Sequence, residues 1–159
     1  MSIGVDALEQ RQRQLRAGQD EAMRTRLHRA LSWLQRAQRE KDDDDACFLF
    51  LWVAFNAAYA GEFNDESREL ARAHVFIDHL LALDHQQRIH GLLFQRFSGP
   101  VRTLMDNRYV YAPFWRALAN HDGSERWKTG FAESKRQAMR ALLEQATVTC
   151  LMLVLERLY

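Results

Sequence analysis

Apolar residues recur every three or four positions along most of the chain, a spacing that places side chains on one face of an α-helix. In residues 20–40 the pattern consists of Leu27, Leu31, Leu34 and Ala37. Further helices are predicted at 46–60, 66–83, 85–97, 101–105, 125–144 and 147–159, and a helical turn at 114–120 that Pro113 starts. Only two prolines and seven glycines interrupt the chain, so long helices are favoured over strands. The pattern predicts an all-α, up-and-down helical bundle with short connections.

The predicted helix at 46–60 differs from the others because 14 of its 15 residues are apolar. A helix that is apolar on every side has to be surrounded by other elements. We therefore expect it to be the central helix of the bundle, ended by Gly61. Its one polar residue, Asn56, should bond a neighbouring helix or a backbone group, since an unpaired buried amide costs about 1–3 kcal/mol. Asn56 is also a candidate binding residue.

Four consecutive aspartates, Asp42 to Asp45, precede this helix. Aspartates at a helix start accept hydrogen bonds from free backbone N–H groups and suit the positive end of the helix dipole. Neighbouring residues of a helix point about 100° apart, so their carboxylates cannot converge on one ion. The run predicts a helix cap rather than a metal site.

The length of 159 residues fits a single domain. Residues 1–18 have a weak apolar pattern and are expected to be loosely ordered, with a further helix as the alternative. At the other end, the apolar stripe of 147–159 continues to Tyr159 without a capping residue or polar tail. That ending is typical of a helix that has been cut short.

The sequence predicts a cytoplasmic protein without a membrane role. Residues 1–16 are polar and rich in arginine and glutamine, unlike a secretory signal. The longest apolar stretch has 15 residues, whereas a membrane-spanning helix needs roughly 20. Cys47 and Cys150 lie in apolar runs with no partner at metal-ligand spacing, which is typical of reduced thiols in a cytosolic core.

Charge is segregated along the chain although the net charge is only +1. Residues 11–41 hold nine basic and three acidic side chains, residues 42–84 two basic and ten acidic, and residues 85–159 eleven basic and six acidic. Such segregation indicates helices that pair a basic face with an acidic face, or a phosphate-binding surface. In the second case Arg29 and Arg36 of the predicted helix at 20–40 are the candidate binding residues.

The histidines do not form a helical metal site. Four of the six lie at 74, 79, 85 and 90, with separations of five, six and five, whereas helical metal ligands lie three or four apart. The chain also contains no Glu-x-x-His pair, Gly-rich phosphate loop or Gly-x-Ser-x-Gly motif. We therefore expect no metal and no cofactor.

Aromatic residues are clustered in two places, the predicted helices at 20–60 and the segment at 109–115. Aromatic side chains on helices usually belong to the core. Because the centre of a protein interface is also rich in aromatic residues, a homodimer face is the alternative for some of them.

Three sequence blocks give the chain a resemblance to a known group. The stretch from Trp52 to Tyr59, with Asn56 inside it, is similar to the Trp-x-Ala-Phe-Asn-Ala-x-Tyr helix of bacterial HEPN-like proteins. The segment 106–115 and the closing residues 156–159 are similar to two further blocks of that group, in the same order. The resemblance implies a HEPN-like helical bundle that pairs as a homodimer.

In active HEPN proteins an arginine, a polar residue and a histidine cleave RNA across the dimer, by binding the phosphate and moving protons. In the group that this chain resembles, that motif follows directly after the third block, and the sequence ends at Tyr159. No catalytic residue is therefore carried over. Arg116 with His121, and Arg72 with His79, are weak substitutes, since neither arginine is followed by Asn or Asp.

The resemblance leads to a functional hypothesis: a HEPN-like protein of a toxin–antitoxin or defence type, acting on or near RNA but non-catalytic as it stands. Its expected partners are a second copy, and RNA or an antitoxin protein. The even overall charge favours an alternative, an interaction or scaffold module with no role in nucleic-acid binding. A helix-turn-helix DNA-binding protein is a third possibility, for which the sequence offers no convincing recognition helix.

Overall fold

The computed structural model describes residues 4–40, 42–59 and 66–159, and within these ranges the chain is helical without strands. The prediction of an all-α helical protein is confirmed. The helices are α1 Val5–Leu15, α2 Glu21–Arg39, α3 Asp44–Tyr59, α4 Glu66–Leu83, α5 Arg88–Gly91, α6 Ser98–Asp106, α7 Ala112–Ala119, α8 Arg126–Leu143 and α9 Thr147–Leu158.

The chain divides into two compact units, Met1–Asp65 and Glu66–Tyr159. We call them the first unit and the second unit. The prediction of a single domain stays a prediction. No helix in the described ranges is both long and apolar enough to cross a membrane.

The first unit is built on the pairing of α2 with α3. The side chain of Asp20 accepts a hydrogen bond from the Met23 N–H at 2.7 Å and so caps α2, close to the predicted start of this helix. Trp33 of α2 stacks on Phe50 of α3, with ring centroids 5.6 Å apart. Val5 is buried and begins α1, which packs on α2. The structure therefore shows a helix before residue 18, which was the alternative to a loosely ordered segment.

The aspartate run caps α3, as predicted. Asp43 accepts a hydrogen bond from the Ala46 N–H at 2.9 Å. Across the described ranges, no group of three or more His, Cys, Asp or Glu side chains is placed to hold a metal ion. The end of the predicted helix at Gly61 lies outside the described residues.

The prediction that this helix is buried on every side is wrong. Phe48, Leu49, Leu51 and Val53 of α3 are 48%, 58%, 44% and 37% exposed. The physical reason is that α2 covers the side of α3 that carries Phe50 and Ala54, whereas these four side chains lie on other sides of the helix. An apolar composition indicates that a helix needs neighbouring elements, but it does not indicate which of its sides they cover.

Asn56 satisfies its amide locally. Its Nδ2 donates to the backbone oxygen of Trp52 at 2.8 Å, and the hydroxyl of Tyr59 donates to its Oδ1 at 2.6 Å. The expected backbone bond is confirmed, and it lies within α3 itself. This arrangement explains a polar residue in an apolar helix without requiring a ligand.

The core of the second unit lies where α6, α8 and α9 meet the turn before α6. Its buried residues are Leu93, Val101, Met105, Ala138, Ala141, Leu142, Cys150 and Leu153. Burial raises the pKa of the Cys150 thiol, which keeps it protonated and unreactive. Cys150 is therefore a core residue, as predicted.

The predicted helix at 85–97 is shorter and less regular than its apolar pattern indicates. The carboxylate of Asp84 accepts hydrogen bonds from the N–H groups of Arg88 and Ile89 at 2.9 and 2.7 Å, and these bonds hold the pKa of Asp84 below its usual value. After α5 the chain forms a π-helical turn at Leu92–Arg96, in which Phe97 N donates to Leu92 O at 3.0 Å. α6 then begins at Ser98, and Pro100 lies within its first turn, where a proline loses no helical hydrogen bond.

Candidate functional site: an aromatic–arginine cluster

Aromatic rings of the second unit form a continuous series of contacts that joins α7, α8 and α9 to the tight turn at Arg108–Val110. An arginine lies at each end of the series. We call this set the aromatic–arginine cluster, and its members are Arg108, Tyr109, Tyr111, Phe114, Trp115, Trp127, Phe131 and Arg157.

Local sequence fixes the turn that carries the first arginine. The side chain of Asn107 accepts a hydrogen bond from the Tyr109 N–H at 2.9 Å and caps the turn. Pro113 lies in the first turn of α7, where its missing N–H costs nothing. The indole N–H of Trp115 donates to the backbone oxygen of Tyr109 at 2.8 Å, which ties α7 back to the turn.

The first end of the cluster is open to solvent. Tyr109 and Trp115 are 54% and 50% exposed, with ring centroids 6.2 Å apart. The Arg108 guanidinium lies 5.0 Å from the Tyr109 ring centre and 5.6 Å from that of Phe114, and it donates to the Tyr109 hydroxyl at 2.9 Å. We call Arg108, Tyr109 and Trp115 the exposed platform. Within the described part of the chain Arg108 has no acidic partner, so its charge is available to a ligand.

The other end of the cluster is buried. Arg157 is only 6% exposed, and its guanidinium lies 4.4 Å from the centre of the Tyr111 ring and 5.3 Å from that of Phe131. It donates to Ser134 Oγ at 3.1 Å. Its Nε has no hydrogen-bond partner among the described residues. Desolvation lowers the pKa of Arg157, and Tyr111 and Glu156 act in the opposite direction.

The two aromatic faces therefore contribute to stabilising the buried cation, which forms no ion pair among the described residues. By bridging to Tyr111, Phe131 and Ser134, Arg157 connects the end of α9 to α8 and to the start of α7. A Cβ atom built at Gly130 of α8 would lie 2.6 Å from the Tyr111 hydroxyl oxygen. Glycine is thus required at this position for Tyr111 to reach Arg157. We interpret this end of the cluster as its structural anchor.

The candidate pair Arg116 and His121 lies beside the C-terminal end of α7. Arg116 belongs to the helix, and His121 follows it in the left-handed region, with φ 51°. Both side chains are exposed, and in the described structure no hydrogen bond or ion pair joins them. A catalytic role for this pair stays a prediction.

The second candidate pair, Arg72 and His79, belongs to α4 of the second unit, and a catalytic role for it stays a prediction. The other predicted site residues lie in the first unit, and the described structure gives them no common site. Arg29 and Arg36 are exposed residues of α2. Arg36 is ion-paired with Glu40 at 2.7 Å and lies 5.4 Å from the centre of the Phe50 ring. Asn56 belongs to the local network described above.

The two arginines of the cluster were not singled out by the sequence reasoning, although both lie in blocks that carried the resemblance. One usable signal was the position of Arg157, four residues after Leu153 and seven after Cys150, on the buried face of α9. An arginine on such a buried face needs a neighbour that compensates its charge. Arg108 carried a weaker signal, since it directly precedes an aromatic run.

No family model, no curated protein and no solved structure matches this chain. The likeness to HEPN proteins therefore rests on the three sequence blocks.

Proposed function

We propose that this chain is a HEPN-like cytoplasmic protein of a toxin–antitoxin or defence type, which binds RNA and does not cut it. The observation that carries the RNA part is the exposed platform, in which the half-exposed rings of Tyr109 and Trp115 contact each other and Arg108, without an acidic partner in the described structure, lies over the Tyr109 ring. The three sequence blocks support the HEPN-like part.

The platform has the chemistry of a site for unpaired nucleotides. Bases stack on exposed aromatic rings with little dependence on sequence, and each stacked base contributes about 1–3 kcal/mol. Arg108 supplies a positive charge over the Tyr109 ring, which itself contacts Trp115, and this charge would bind the phosphate of a nucleotide stacked on the platform. Arg116 and Arg126 are further exposed arginines of the same unit without an ion pair among the described residues. They extend the positive charge available to an RNA backbone.

The proposed lack of cleavage follows from the groups available. Cleavage through the ribose 2′-hydroxyl needs a group that removes its proton and a second group that protonates the leaving oxygen. The platform itself consists of an arginine, a tyrosine and a tryptophan, and it contains no histidine or carboxylate, the side chains that most often carry out these proton transfers. His121 is the nearest histidine in sequence, and no contact with the cluster is present in the described residues.

A salt titration of RNA binding tests this proposal. We expect the full chain to bind a fluorescein-labelled single-stranded RNA at low salt, with an affinity that falls linearly on a logarithmic salt scale. Arg108→Gln should weaken binding and reduce the slope by about 0.7, the value for one phosphate contact on a single strand. The measurement is fluorescence anisotropy at several salt concentrations.

Arg96→Gln is the matched control, because Arg96 also lies over an exposed neighbouring ring, 5.5 Å from the centre of Phe97. It should leave the slope unchanged. Absence of binding at low salt, or an equal loss in the control, would contradict the assignment to the platform.

A protein-interaction module is the second candidate, and one observation favours it. The exposed side of α3 is apolar, and contiguous apolar surface of this kind marks binding to another protein. An antitoxin protein is one such partner. If the chain binds a protein through α3 and shows no salt-dependent RNA binding, this function replaces the first.

A further inference from the structure

Tyr111 lies at the junction between the two rings of the exposed platform. It follows Tyr109 by two residues and precedes Trp115 by four. Its N–H donates to the backbone oxygen of Arg108 at 3.1 Å, and its own backbone oxygen accepts from the Phe114 N–H at 2.9 Å. Tyr111 therefore ends the turn that carries Arg108 and Tyr109, and it begins the helix that carries Trp115. Its backbone torsions set the angle between the two.

The backbone of Tyr111 is extended, with φ −104° and ψ 103°, and it flanks both the turn and α7. Residues at the ends of regular elements are the usual hinges of a chain, since they absorb changes of φ and ψ. The side chain of Tyr111 is held from outside this hinge. Its ring lies 4.4 Å from the Arg157 guanidinium of α9 and 5.4 Å from the Phe131 ring of α8. Arg157 in turn donates to Ser134 Oγ of α8 at 3.1 Å.

We propose that Arg157 is a positioning residue of the RNA site. By holding the Tyr111 ring against α8 and α9, it fixes the hinge and thereby the arrangement of Tyr109 and Trp115. Arg157 is 6% exposed, and its ring contacts are with Tyr111 and Phe131, outside the exposed platform. It therefore acts without touching RNA. The effect on RNA rests on the proposed function, whereas the positioning is a property of the free chain.

Positioning changes the affinity because an ordered platform loses little conformational freedom when RNA binds. Without Arg157 the RNA has to order the turn and both rings, and the cost of immobilising these side chains lowers the affinity by about tenfold. No phosphate contact is lost, so the dependence of the affinity on salt keeps its slope. The loss of a positioning residue thus differs from the loss of Arg108, which lowers both the affinity and the slope.

Nuclear magnetic resonance of the full chain without RNA tests the positioning. With 5-fluorotryptophan incorporated, each of the four tryptophans gives a fluorine signal, and Trp115→Phe identifies that of Trp115. We expect Arg157→Gln to shift and broaden the Trp115 signal, while those of Trp33 and Trp52 in the first unit stay unchanged as internal controls. Arg157→Lys keeps a cation against the rings and should show the same change to a smaller extent, so it decides the question if Arg157→Gln does not fold. An unchanged Trp115 signal in a folded variant would overturn the inference.

Fluorescence anisotropy with labelled single-stranded RNA tests the consequence for binding. Arg157→Gln should lower the affinity about tenfold with an unchanged salt slope, and Tyr111→Phe, which keeps the ring that Arg157 contacts, should bind as the parent does. Arg140→Gln is the control of equal charge, because Arg140 is an exposed arginine of α8 that pairs with Glu144. An equal loss in this control, or a reduced slope in Arg157→Gln, would mean that charge and not position decides the affinity. A parent chain that binds no RNA refutes the proposed function alone, since the fluorine signals still decide the positioning.

Discussion

Gly130→Ala should destabilise the second unit by about 1–3 kcal/mol, the usual cost of an overpacked interior site. Alanine normally stabilises a helix relative to glycine by up to about 1 kcal/mol. Here the added Cβ would lie 2.6 Å from the Tyr111 hydroxyl oxygen, closer than atoms approach without displacement. The ring that carries this oxygen is itself packed between Phe131 and Arg157, with distances of 5.4 Å and 4.4 Å to its centre.

The clash therefore acts on the contact that holds the buried guanidinium. When Tyr111 moves, Arg157 loses one of its two aromatic faces, and a charge that is 6% exposed loses part of its compensation. Denaturant unfolding followed by circular dichroism measures the effect. The unfolding midpoint of Gly130→Ala should fall without a change of slope.

A second substitution separates the clash from any general effect of the glycine. Tyr111→Phe removes the hydroxyl, and the next ring atom lies 3.8 Å from the added Cβ, an ordinary contact. The double variant Gly130→Ala with Tyr111→Phe should therefore regain most of the lost stability. Gly99→Ala is the control, because nothing lies within 4 Å of its Cβ position. A Gly130→Ala variant as stable as the parent, or a double variant with no recovery, would refute the close packing described here.

Trp115→Ala should weaken binding of single-stranded RNA by about 5- to 150-fold, which corresponds to the loss of one stacked base at about 1–3 kcal/mol. Trp115 offers half of its surface to solvent, and its indole N–H bond to Tyr109 O keeps the two rings of the platform in place. The substitution removes the Trp115 ring and the hydrogen bond that holds Tyr109 in place. Fluorescence anisotropy at fixed low salt measures the change.

Trp115→Phe keeps a ring face and should lose much less affinity than Trp115→Ala. Phe97→Ala is the matched control, since Phe97 is a comparably exposed ring beside an arginine, outside the cluster. Its affinity for RNA should stay within about twofold of the parent. Equal losses for Trp115→Ala and Phe97→Ala would mean that RNA contacts basic surface in general and not the platform.

Much of the helical architecture was predictable because it depends on local patterns. The repeat of Leu27, Leu31 and Leu34 gives α2 within one residue at each end, and Asp20 caps it as its position indicates. The last two helices follow from the same periodicity. The turn between 84 and 98 was less predictable, since a π-helical turn interrupts an apolar pattern that otherwise reads as one helix.

Features that depend on contacts between distant parts of the chain could not be predicted from the apolar pattern. The exposure of α3 depends on how many neighbours the fold supplies, which its composition of 14 apolar residues in 15 does not report. The anchor of the cluster joins Tyr111, Gly130 and Arg157, which come from three different helices or their borders. Periodicity assigns a residue to a face but does not identify the residue it meets across the fold. The sequence therefore identified Arg108 and Arg157 as members of two sequence blocks, but it did not identify them as members of one site.

Photo-crosslinking tests most directly whether RNA binds at the exposed platform. A single-stranded RNA containing 4-thiouridine would be irradiated with the full chain at low salt, digested with trypsin and mapped by mass spectrometry. Cleavage after Arg108 and Arg116 releases residues 109–116 as one peptide, which contains both Tyr109 and Trp115. We predict that this peptide carries the crosslinked nucleotide, and that Trp115→Ala lowers the yield. Crosslinks confined to the arginine-rich α2, or none at all under conditions where the RNA is bound, would contradict the account.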